Sequence, residues 1–220
     1  MFRTALIALV GVAALGTVAS ASASATPGWT VTGVKQKGGG KETTSSKGGI
    51  FHLSVAFAQN IQCTKEKDSG EISFTEPGTG VLKITLEGCT TPGLANCEVS
   101  DTGAGKTAGT IRTGELATEL RTYAGIVYEH FQAPAFGVMT TIEVKNKEGK
   151  VCNAKGKFPV EGEDCAEVGP EAIALQFKLS QAIATKCGAK LETEGSADEM
   201  SGTSERTLTG AKKGLAFGVA

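Results

Sequence analysis

Along most of the chain, apolar and polar side chains alternate with a period of two, the pattern of a strand with one buried face. In FHLSVAF, Phe51, Leu53, Val55 and Phe57 fall on one side and His52, Ser54 and Ala56 on the other. VLKITLE sets Leu82, Ile84 and Leu86 against Lys83, Thr85 and Glu87. IALQFKL sets Ile173, Leu175, Phe177 and Leu179 against Ala174, Gln176 and Lys178. ELATELRTY also fits a helix through Leu116 and Leu120, four apart, but its alternation and the bracketing Gly114 and Gly125 favour a strand. WTVTGV, NIQCTK, EISFT, AGTIR, GIVYEHF, GVMTTIEV, KGKFPVE, KLETE, RTLTG and GLAFGVA are further strand candidates.

Gly, Asn, Asp and Pro clusters separate these segments at intervals of about ten residues, the spacing of an all-β sandwich or barrel. The 30 glycines supply turns for antiparallel strands. The pattern therefore predicts an antiparallel β-sandwich or β-barrel over residues 26–220, as a single β-rich domain. One stretch departs from it: residues 33–49, GVKQKGGGKETTSSKGG, hold Gly, Ser, Thr and Lys with almost nothing to bury. They predict a mobile loop.

The amino end carries a different signal. MFR is followed by the apolar run TALIALVGVAALGTVA and then by SASASATPGW, the order of a secretory signal peptide over residues 1–25. Cleavage is expected after Ala23 or Ala25. The run is 16 residues long, short of the roughly 20 that span a bilayer as a helix. Export places the six cysteines in an oxidising compartment, where an even number implies three disulfides. Cys89 and Cys97 flank the turn-forming TTPGLAN and are the first expected pair; Cys165 with Cys187 and Cys63 with Cys152 complete the set. A zinc site is disfavoured, because no CxxC occurs and His52 and His130 lie far from any cysteine in sequence.

Loss of Arg3 with the signal leaves 21 basic residues against 23 acidic, a net charge of −2. Such a balance gives no concentrated basic face for a nucleic-acid partner. DTGAGKT, residues 101–107, ends like a phosphate-binding loop, yet Ser100 stands where the full motif has Gly, and TAGTIRTG after Lys106 opposes a helix. It predicts a surface turn before a strand near Ala108, with no cofactor.

A hydrolase needs a base beside a nucleophile. His130 follows Glu129 directly, so the two point to opposite faces of a strand, and no GxSxG is present. Carboxylate chemistry stays open through Glu143 and the cluster Glu161, Glu163 and Asp164; with Gly162 that cluster could also offer oxygens to calcium, although it lacks the spacing of a calcium loop.

The succession WTVTG, NIQC, GEISF, GTGVLKITLEGC, NC, AGTIRTGEL and VC, from about Trp29 to Cys152, resembles exported Gly-rich β proteins of high-GC Gram-positive bacteria. The resemblance implies an exported, disulfide-bonded β protein and transfers no activity or functional residue. The sequence reading is thus a secreted or cell-surface β domain with a non-catalytic role in binding or envelope structure, its partner a cell-envelope or extracellular polymer. The alternatives are an extracellular hydrolase acting on sugars or envelope polymers, and a lipocalin-like carrier. The carrier reading rests on GWTVTG, where Gly28 and Trp29 are adjacent and the lipocalin pattern separates them by one residue.

Overall fold

The computed structural model describes residues 26–55, 59–133 and 137–220; the expected signal peptide lies outside them. Eight strands form a ring. β16 (Ser196–Leu208) pairs with β3 (Lys41–Gly48), β3 with β6 (Lys65–Ser73), and β6 with β7 (Thr79–Glu87). β7 then pairs with β10 (Leu116–Tyr123), β10 with β11 (Ile126–Gln132), and β11 with β13 (Gly156–Val168). β14 (Leu175–Leu179) closes the circuit by pairing with both β13 and β16. Every contact is antiparallel, so the sheet closes on itself as a barrel and leaves no open edge within the ring.

β13 and β16, each 13 residues long, run beyond this ring. Their far halves carry β12 (Val138–Asn146) with β8 (Cys97–Asp101), and β4 (Phe51–Val55) with β5 (Gln59–Cys63). β15 (Leu191–Thr193) bridges the two long strands there, and β9 (Thr110–Arg112) adds to the end of β7. Ile84, Ile111, Met139, Val160 and Met200 fill this second layer around a cavity of about 30 Å³.

The long strands change neighbours at glycines. Gly162 lies between Glu161, which pairs with β12, and Glu163, which pairs with β11. Its φ is +100°, and a Cβ there would sit 2.2 Å from the Lys190 carbonyl oxygen. Gly202 plays the same part on β16, with the Phe51 ring 2.7 Å from the site of a Cβ.

A three-stranded sheet of β17 (Phe217–Val219), β1 (Trp29–Val31) and β2 (Val34–Lys35) covers one end of the ring. Trp29 and Phe217 are buried in it with ring centroids 6.1 Å apart. Trp29 packs on Gly78, where a Cβ would come within 2.8 Å of the indole.

The alternation of the sequence is realised in the wall. Leu175, Phe177 and Leu179 are buried as expected, whereas Ile173 lies before the strand and is 57% exposed. ELATELRTY is the strand β10. One element was not expected: α1 (Gln181–Cys187), started by Ser180, whose hydroxyl accepts the Ile183 amide, and stopped by Gly188 in the left-handed conformation.

Two expectations are corrected. Within residues 33–49 the stretch 41–48 is β3, a ring strand paired along its length to β6 and over its second half to β16. It buries Glu42, Thr44 and Ser46, so its inward face is polar and escapes a test for apolar periodicity.

The cysteine pairing also differs: Cys63 bonds Cys89, Cys97 bonds Cys152, and only Cys165–Cys187 is as expected. Gln62 bridges Thr90, which sets the end of β5 beside Cys89. Cys97 is opposite Asn146 on β12, and Asn146 Oδ1 accepts the Cys152 amide, which brings Cys152 to Cys97. Cys89 and Cys97 therefore lie on different edges despite the turn between them.

Non-reducing peptide mapping of the native protein is expected to recover 63–89, 97–152 and 165–187 linkages; an 89–97 peptide would contradict this packing. Gly162→Ala, which adds both a clash and an unfavourable φ, is expected to lower stability by about 2–4 kcal/mol in urea unfolding.

Candidate binding window between two wall strands

The interior of the ring is charged. Arg206 on β16, 3% exposed, donates to both oxygens of Glu129 on β11 at 2.9 and 2.8 Å and to Asp68 on β6 at 3.3 Å. Its guanidinium lies over the Phe177 ring, 4.1 Å from the centroid. Ser46 donates to Glu66, and the Asp68 amide donates to Ser46. The cavity among these groups is about 20 Å³, room for a single water and far below the roughly 300–1,000 Å³ of ligand pockets. The ring is filled by its own side chains.

The wall opens at another place. β15 pairs with β13 up to Gly162, and β14 resumes the pairing at Glu167. On β16, β15 ends at Asp198 and β14 begins at Gly202. Between them, residues 164–166 of β13 and 199–201 of β16 have no strand partner on this side. The chain between β14 and β15 forms α1, which lies over the opening. Ile183 packs on Tyr128 and Cys165, and the Cys165–Cys187 disulfide ties the helix to β13.

A cavity of about 130 Å³ fills the opening, lined by Asp164, Gln181, Thr185, Lys190, Asp198 and Glu199 among others. Asp164 and Cys165 alternate across β13, so Cys165 meets the helix and Asp164 turns the other way, the side on which its partner Phe131 is buried. Asp164 is 2% exposed. Its Oδ1 accepts the Cys165 amide at 2.7 Å, and its Oδ2 takes no hydrogen bond from any described residue. Asp198 accepts from Thr193, and the Lys190 ammonium is paired with Glu192.

The acidic run Glu161, Gly162, Glu163 and Asp164 is therefore strand and not loop, and its side chains do not converge as calcium ligands would. Asp164 instead lines one cavity with Asp198 and Glu199 of β16, a grouping that no local motif announces. Glu143 is on the outer face, bound by Lys106 at 2.6 Å.

DTGAGKT forms no helix. Asp101 ends β8 buried, where its carboxylate accepts the amides of Gly103 and Arg112, and residues 102–107 are an exposed turn before β9. His52 is exposed on β4. His130 is buried, with Arg121 at 3.3 Å and Glu163 at 3.9 Å from Nδ1; burial, then Arg121, hold it below the usual imidazole range. His130, Cys165 and Cys187 could form a metal set by distance, but the two sulfurs are bonded to each other. The chain matches no protein-family model, no curated protein and no solved structure.

Two carboxyl groups hold their protons unusually well. Burial, then the charge of Asp68, pushes Glu66 up to about 7 against the pull of Ser46 and Arg206. Burial also pushes Asp164 up to about 7, with Glu199 adding to it and the Cys165 amide opposing it. An unfolded chain releases the Glu66 proton near 4.5. Between that pH and 7 the folded state binds more protons, so this group's contribution is full below about 4.5 and is lost as pH rises toward 7. Glu66→Gln is therefore expected to gain about 2–3 kcal/mol relative to the parent between pH 5 and pH 8, read from urea unfolding at both pH values. A pH-independent difference between the two proteins would refute the assignment.

Proposed function

We propose that this chain works outside the cytoplasm as a rigid, non-catalytic β-barrel domain that binds through its surface and the window beneath α1. Three disulfides fit an oxidising compartment, and no helix among the described residues is long and apolar enough to cross a membrane. The signal-like amino end and the resemblance to exported Gly-rich β proteins point the same way. The observation that carries the reading is how the volume is used. Side chains of the chain itself fill the two interior layers, down to cavities of about 20 and 30 Å³. The window of about 130 Å³ beneath α1 is held open by a gap in strand pairing. A carrier of the lipocalin kind needs a hollow interior, which these two layers do not offer.

The hydrolase reading keeps one specific support, that Asp164 and Glu199 line the same cavity. Against it, the space is about 130 Å³, and among the described residues its lining includes no aromatic ring on which a sugar could stack.

Envelope polymers and oligosaccharides incubated with the purified exported protein are expected to be retained or ignored without cleavage. Release of product that disappears in Asp164→Asn would overturn the non-catalytic reading. Mass spectrometry of the same material is expected to show an amino terminus after residue 23 or 25.

A further inference from the structure

The window selects by charge. Asp164 reaches it from β13, and Asp198 and Glu199 reach it from β16. α1 supplies Gln181 and Thr185, both uncharged, and Lys190 is the one basic side chain among the described lining residues. Because Glu192 holds the Lys190 ammonium, Asp164 and Glu199 face the cavity with no other basic side chain among its described lining residues. A buried carboxylate with one oxygen uncommitted is costly. A cation lowers that cost and an anion raises it.

Size and spacing narrow the cation further. Metal ions need several ligand atoms close together, at about 2.0–2.6 Å from the ion. Among the described residues, the group whose ligand atoms converge so closely is the disulfide-bonded His130, Cys165 and Cys187, not these carboxylates. An ammonium group suits separated acceptors better, since its three N–H donors point outward and reach acceptors at about 2.8 Å. Ala184, Ala189, Leu191 and Met200 add apolar surface to the same cavity, against which a short aliphatic stem can lie.

We propose that the window binds the ammonium head of a small primary amine, with Asp164 Oδ2 and the Glu199 carboxylate as acceptors and the stem against the apolar lining. This rests on the window being the domain's binding site and adds the class of ligand. Binding needs Asp164 ionised, and the groups that face it are Asp198 and Glu199 on β16 and the Glu192-paired Lys190; the helix residues in the lining bring no titratable side chain. With its carboxyl pushed up to about 7, the ionised fraction rises about 30-fold from pH 5.5 to pH 8, and affinity follows that fraction.

The test is an amide-shift NMR titration of the full disulfide-bonded protein with ethylammonium, and with ethanol and acetate as neutral and anionic probes of similar size. The expected result is saturable ethylammonium binding with shifts at Asp164, Thr185 and Glu199. It should be about 30-fold tighter at pH 8 than at pH 5.5 and lost in Asp164→Asn. Glu199→Gln, at a half-buried position of the lining, serves if the first variant does not fold, and is expected to weaken binding at least several-fold.

Ethanol or acetate binding at the same residues as tightly as ethylammonium would overturn the amine assignment and leave the window as a binding site. Ethylammonium binding that is indifferent to both variants and to pH would likewise overturn it. Absence of shifts at the window with all three probes would overturn the window itself.

Discussion

The ring depends on one buried cation. Arg206 reaches across the barrel from β16 to Glu129 on β11 and Asp68 on β6, three strands that are not neighbours in the sheet. Taking these charges out of water is expensive, and only close pairing with further hydrogen bonds offsets it. The geometry meets that demand on one side: Glu129 binds through both oxygens, and Phe177 lies under the guanidinium. Burial disfavours a charge at Glu66, the negative charge of Asp68 adds to this, and that group keeps its proton to about 7. The polar strand β3 follows from this. A wall that faces Arg206, Asp68 and Glu66 offers Ser46 as a hydrogen-bond partner more usefully than a Leu.

That polar interior also marks where the sequence could be read and where it could not. Strands such as β4, β7 and β14 were legible because each buries one apolar face beside a polar one, and a period of two reports that directly. β3 was not, since Glu42, Thr44 and Ser46 inside and Lys41, Thr43, Ser45 and Lys47 outside differ little in polarity. Helix α1 left only its end signals, Ser180 and Gly188, because seven residues with Ile183 as their one buried anchor carry no apolar stripe.

Cysteine partners depend on which strands are neighbours. Spacing along the chain therefore matched one of the three pairs, Cys165–Cys187, and could not single out the other two. Asp164 was visible in sequence as an acid in a charged run. Its meeting with Glu199 needed the order of strands around the ring.

The window and the glycine hand-overs have a common origin. Two long strands each serve two layers, so they must change partners midway, and the short strands beside them cannot follow. β14 and β15 cover the two halves of the seam, and the length between them is left to a helix. A feature that could pass for a defect in pairing is the direct result of building two layers from one pair of strands.

The capping sheet joins the two ends of the folded chain: Gly28 and Ala220 exchange backbone hydrogen bonds, and Trp29 packs on Phe217. The first strand thus has only the short β2 beside it until the last strand has been made. A chain that folds from its amino end therefore completes this sheet only with β17. Completion of the sheet at this end of the barrel therefore depends on a contact between the two most distant strands in the chain.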